Sequence, residues 1–121
     1  MANNDSLTHT MATIDSFTKD RDWEQFHTVK NIISSISIEA AELSETVQWS
    51  NPSTDEVRND AELQSAIGDE LADVMVYCLR LCSMLNIDPI QIIEDKIEKN
   101  ASKYPIESSK GSSRKYTAYE K

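Results

Sequence analysis

The chain has 121 residues, 39% apolar and 27% charged, which suits one compact domain with its own core. Two glycines and three prolines leave too few turn residues for a sandwich or barrel, so an all-α fold is expected. Twelve basic against twenty-one acidic side chains give a formal charge of −9, which repels phosphate backbones and anionic membranes and excludes a nucleic-acid polymer as partner.

Met1 to Thr13 lacks the basic start and apolar run of a secretion signal, and nowhere do about eighteen apolar residues follow one another. A soluble, cytoplasmic chain without a membrane partner is expected. Leu7, Met11, Ile14 and Phe17, spaced 4, 3 and 3 apart, predict a short first helix over 7–19. Asp20 to Phe26 forms a polar, aromatic junction around Arg21, Asp22 and Trp23. Thr28 is the expected cap of a second helix reaching Trp49, whose Ile32, Ile36, Leu43 and Val47 differ by 4, 7 and 4. Asn51, Pro52 and Ser53 stop it, and the polar run through Asn59 reads as a connecting loop.

A third helix is predicted from near Asp60, where Leu63, Ile67, Leu71, Val74, Cys78, Leu81 and Leu85 step by 4, 4, 3, 4, 3 and 4. Cys78 and Cys82 share this stretch, so a disulfide would constrain little. With His9 and His27 the only histidines, zinc is poorly supplied, and two buried thiols in a reducing compartment are expected. Asn86 ends the helix. Asp88 as cap and Pro89 at the first helical position open a fourth, through about Lys103, closed by Tyr104 and Pro105. A helical domain over 1–106 and a polar tail over 107–121, mobile without a ligand, complete the reading.

On the second helix Glu39, Glu42 and Glu45 fall at i, i+3 and i+6, and on the third Glu70 and Asp73 repeat the spacing. Both groups lie beside the apolar stripes, so packing the stripes together brings the carboxylates to the edge of the interface. Like charges at 4 Å repel by about 4 kcal/mol per pair at an effective dielectric near 20. A divalent cation offsets this, and an all-oxygen set points to magnesium, or manganese, rather than zinc. A carboxylate-bridged di-iron site needs histidine where Glu42 and Asp73 stand. The competing reading of the same residues is an ordinary solvated acidic face.

Ile38 to Trp49 (IEAAELSETVQW) and Gly68 to Tyr77 (GDELADVMVY) resemble the MazG-like family of all-α nucleoside triphosphate pyrophosphohydrolases, whose signature pairs Glu-x-x-Glu with Glu-x-x-Asp. Arg21 to Asn31, Asp95 to Pro105 and Ser112 to Thr117 resemble its dCTP pyrophosphatase branch. The resemblance implies a four-helix MazG-like bundle and magnesium-dependent cleavage between the α and β phosphates of a nucleoside triphosphate, giving a monophosphate and pyrophosphate. Carried onto matching positions, Glu39, Glu42, Glu70 and Asp73 are the implied metal ligands, with Glu45 a candidate to orient or deprotonate the attacking water. It also implies that Trp23, Trp49, His27 and Tyr77 help form a base pocket, and that Lys96 and Asn100 meet the nucleotide; filling a core is the competing role for Tyr77. Arg114 and Lys115 are placed to close over phosphates. Val29 stands where many relatives have proline, which alters the helix cap more than the chemistry.

The stripe on the third helix is too long for the second to bury, so a homodimer or homotetramer is expected to complete the core. The expected reaction is hydrolysis of dCTP, or a modified dCTP, in house-cleaning of the nucleotide pool. The rivals are an enzyme of other or broad dNTP preference, such as dUTP or dATP, a phosphoribosyl-ATP hydrolase, and a non-catalytic acidic bundle that binds metal or a partner protein.

Overall fold

The structure is a computed structural model that describes residues 4–115 and Thr117. Helices α1 (Asn4–Asp20), α2 (Val29–Glu45), α3 (Thr54–Arg58), α4 (Ala61–Leu85), α5 (Pro89–Lys103) and α6 (Ile106–Ser109) are joined by short connections, with one 3₁₀ turn at Glu24–Phe26. Among the described residues there is no strand, and no single helix is long and apolar enough to cross a membrane. The helices fall into two compact units that divide after Ile87, α1–α4 in the first and α5–α6 in the second.

The caps explain the boundaries. Thr28 is extended and its hydroxyl accepts the Asn31 N–H at 3.1 Å, and Asp60 does the same for Leu63 at 3.0 Å. Asp88 accepts from both Ile90 and Gln91 ahead of the Pro89 start. Asn86, at φ 55°, closes α4 with Asn86 N–H to Ser83 and Ile87 N–H to Cys82, the paired bonds of a Schellman motif. Asp22, also at φ 55°, closes α1 in the same way: its N–H meets the Lys19 carbonyl and the Trp23 N–H the Thr18 carbonyl, each at 3.0 Å.

Two boundaries differ from expectation. The second helix stops at Glu45, short of Trp49, because the Thr46 hydroxyl donates to the Leu43 carbonyl at 2.7 Å and the N–H groups of 46–48 bond three residues back, winding the end into tight turns. The connection read as a loop through Asn59 contains α3, held by a capping box: Glu56 N–H donates to Ser53 Oγ at 3.1 Å and Ser53 N–H to Glu56 Oε1 at 3.3 Å. The tail opens with the single turn α6, whereas Tyr116 and the residues beyond Thr117 lie outside the described residues.

In the first unit α4 packs chiefly on α2 and also meets α1 and α3. The shielded positions of α2 include Ile32, Ile36, Glu39 and Leu43, stepping 4, 3 and 4, with Thr46 three further on as its C-cap. Those of α4 include Leu63, Ile67, Glu70, Val74, Tyr77, Leu81 and Met84, stepping 4, 3, 4, 3, 4 and 3. These are the alternating steps of a knobs-into-holes seam. Glu39 and Glu70 therefore sit within the seam, each in place of an apolar residue, and not beside it.

Leu71, Met75, Cys78 and Leu85 form a second apolar row on α4 that the chain leaves exposed. The expectation of two buried thiols is corrected here: Cys78 lies on this outer row and is exposed, while Cys82 is buried. On α1 the inward position belongs to Thr18, 3% exposed, and not to Phe17, whose ring is half exposed.

Candidate active site

The carboxylates meet along the contact between α2 and α4. One oxygen from each of Glu39, Glu70 and Asp73 lies within 4.8 Å of the others. Glu39 Oε2 and Glu70 Oε2 are shielded from solvent and have no hydrogen-bond partner. Buried acceptors are ordinarily satisfied, so two oxygens in one place without a protein partner fit a ligand set for a cation. The donors are all carboxylate oxygens, the preference of a hard divalent ion.

Glu42 is exposed on α2 and faces both buried carboxyls. Hydrogen bonding toward the Glu42 side chain, then burial, then the charges of Glu42, Asp73 and Glu70 push the Glu39 carboxyl up to about 7. Burial acts first on Glu70, followed by Glu42, and raises it as well. The Tyr77 phenol is raised by burial and by the charges of Glu39 and Asp73. Glu45, the last residue of α2, is exposed and outside the close group.

Asp73 also forms part of the wall of a cavity of about 400 Å³ between α1, the 3₁₀ turn and α4. Phe17, Trp23, His27, Tyr77 and Arg80 line it, together with Thr13, Ile14, Thr18 and Val76. The Schellman end of α1 delivers Trp23 to this wall. Its indole meets the Phe17 ring edge-on at 5.8 Å and 73°, and the Arg21 guanidinium lies 3.6 Å from the Phe17 centroid. The volume is that of a small-molecule site, and the lining is aromatic with a few polar groups.

Three of the four residues expected at a base pocket, Trp23, His27 and Tyr77, thus share one cavity. Trp49 does not line it and is 91% exposed beyond the end of α2. Lys96 and Asn100 lie one turn apart on α5, both exposed, in the second unit. Arg114 and Lys115 are exposed. Sequence reasoning missed Asp15 and Arg80. Arg80 Nη1 donates to Asp15 Oδ1 at 2.8 Å and Arg80 Nε to His27 Nδ1 at 3.1 Å. The available signal was a single cation inside the apolar run from Val74 to Leu85.

The dCTP pyrophosphatase 1 of Mus musculus is 33% identical over 102 residues and that of Homo sapiens 32% over 102. Each alignment covers 84% of this chain and 60% of the relative, so the chain spans about 60% of the length of these relatives. A crystal structure of a pyrophosphatase from Archaeoglobus fulgidus matches with a TM-score of 0.73 and 39% identity, over 81% of this chain and 91% of that one. Residues 34–118 match the MazG-like family, a span that takes in both carboxylate pairs; this chain belongs to the MazG-like family.

Proposed function

We propose that this chain hydrolyses a deoxynucleoside triphosphate, dCTP or a modified dCTP, to the monophosphate and pyrophosphate, as a cytoplasmic enzyme that cleans the nucleotide pool. The observation that carries the reading is Asp73, which belongs at once to the carboxylate group and to the wall of the aromatic cavity. A phosphate chain bound at the carboxylates through a cation therefore leads directly to a pocket for a base. Kinship with proteins named dCTP pyrophosphatase 1 supports the choice of dCTP.

Glu39, Glu42, Glu70 and Asp73 would hold a divalent ion, magnesium or alternatively manganese. Bound there, such an ion supplies charge neutralisation to the triphosphate and polarises the α-phosphorus. Glu45 orients the attacking water and takes its proton as the oxygen adds to the α-phosphorus. The α–β bridging bond breaks and pyrophosphate leaves. Trp23 and Tyr77 hold the base by stacking, worth about 1–3 kcal/mol per base in other sites, and His27 meets its edge. Lys96 and Asn100 are assigned to the triphosphate on their chemistry, an ammonium and an amide for a polyanion.

The exposed row Leu71, Met75, Cys78 and Leu85 supports assembly as a homodimer or homotetramer, and an interface shared between copies gives the exposed Trp49 a base to meet. The test is turnover of a dNTP panel with magnesium by wild type and Glu42→Ala. Release of monophosphate and pyrophosphate from dCTP, lost in the variant, is the expected result. Diphosphate plus phosphate, or turnover unchanged in Glu42→Ala, overturns it.

A further inference from the structure

Arg80 is largely shielded, its side chain 12% exposed, and it joins three elements: Asp15 of α1, His27 after the 3₁₀ turn, and its own helix α4. Its Nε–H donates to His27 Nδ1, so that nitrogen carries the lone pair and a neutral imidazole must carry its proton on Nε2. Nε2 has no partner among the described residues, and the ring lines the cavity beside Tyr77. A guanidinium cannot accept a hydrogen bond, so a second proton on the ring would set two donors against each other. Burial and then the Arg80 charge hold His27 below its ordinary 6.5, against the opposing charge of Glu24 on its own turn. Asp15 stands behind Arg80, and Asp73 and Tyr77 complete the ionisable groups around the cavity.

We propose that Arg80 is a specificity-determining positioning residue: through His27 it presents a fixed N–H donor that selects a base edge made of acceptors, the N3 and O2 of cytosine, over the N3–H edge of uracil or thymine. The proposal rests on the nucleotide reading above and adds to it the group that chooses the base. A donor facing an acceptor gains a hydrogen bond. A donor facing N3–H leaves two buried donors unpaired, and such mismatches separate ligands more strongly than shape does.

The experiment has a spectroscopic arm and a kinetic one, both on the full chain. In ¹⁵N-labelled wild type near neutral pH, His27 Nδ1 should resonate as an unprotonated, hydrogen-bonded nitrogen and Nε2 as a protonated one. In Arg80→Lys, which retains a cation for Asp15 but loses the planar fork, the Nδ1 signature should disappear and the imidazole should titrate higher. The same variant should raise KM for dCTP about tenfold, with the loss in KM and not in kcat, and should shrink the dCTP-to-dUTP ratio of kcat/KM by about tenfold. On a His27→Ala background the Arg80→Lys effect on that ratio should vanish. A wild-type spectrum with Nδ1 protonated, or a dCTP-to-dUTP ratio unchanged in Arg80→Lys, overturns the proposal. Absence of dNTP turnover in wild type overturns the nucleotide reading and the selectivity together, and the spectrum then separates that failure from failure of the Arg80–His27 contact itself.

Discussion

Two polar intrusions interrupt the packing of α4, ten residues or about 15 Å apart, and they are resolved in opposite ways. At Glu70 the neighbours are Glu39, Glu42 and Asp73, all of one sign, and two buried oxygens have no partner. At Arg80 the neighbours are Asp15 and His27, complementary in charge and in hydrogen-bonding sense. The first group is completed only by something from outside the chain, whereas in the second Arg80 is paired on both sides within it. Unsatisfied burial thus marks where a ligand belongs, and satisfied burial marks what holds the pocket in shape.

The sharpest way to test the contrast is to neutralise one seam carboxylate. Glu70→Gln should reduce dCTP turnover by about 100-fold or more, since outer-shell changes alone cost 10–100-fold at metal sites, yet raise the melting temperature of the metal-free protein by removing a repelled charge. A fall in both would dissolve the distinction between the two layers.

Next in size is the response to pH and cation. Glu39 protonates near 7 in the fold against an ordinary 4.5, so its contribution to stability is fully present below pH 4.5 and is lost as pH rises through about 7. Without divalent ions the melting temperature should fall over that window, and magnesium should stabilise the protein far more at pH 8 than at pH 5. His27, lowered from 6.5, acts in the opposite direction, losing stability as pH falls below that value. Calorimetry on Glu39→Gln isolates the carboxylate contribution.

At the paired layer, Arg80→Met should cost about 2 kcal/mol in urea unfolding, because Asp15 and His27 lose a partly buried partner, and magnesium should not restore it. Trp23→Ala should raise KM for dCTP about tenfold, from lost stacking. The smallest effects belong to the caps: Ser53→Ala should lose about 1 kcal/mol with its capping box, and Asn86→Gly should gain a few tenths to ~1 kcal/mol at the left-handed position.

Much of this was legible from residue spacing. Thr28, Asp60, Asp88 and Pro89 announced three helix starts, and the pairs Glu39/Glu42 and Glu70/Asp73 announced the carboxylate meeting point. The stripe expected on α4 mixes two rows: Leu63, Ile67, Val74 and Leu81 are shielded, whereas Leu71, Cys78 and Leu85 belong to the exposed row, because the inner row accepts Glu70 and Tyr77 where an apolar residue was expected. Thr46 and Ser53 act through bonds of three residues' reach that a periodicity of apolar positions does not register. Arg80 was passed over because its partners lie 53 and 65 residues away along the chain.

Trp23 hangs from a chain reversal closed by main-chain bonds, one residue past the left-handed Asp22. Its aim is thus a property of helix phase. Side chains on the outer surface of α1 can be exchanged freely, but inserting or deleting one residue between Asp15 and Thr18 turns everything downstream by about 100° and carries the indole away from the wall it serves. Among descendants of this gene, the exposed Ser16 should vary while Asp15, Phe17 and Thr18, and the length of the stretch that spaces them, stay unchanged.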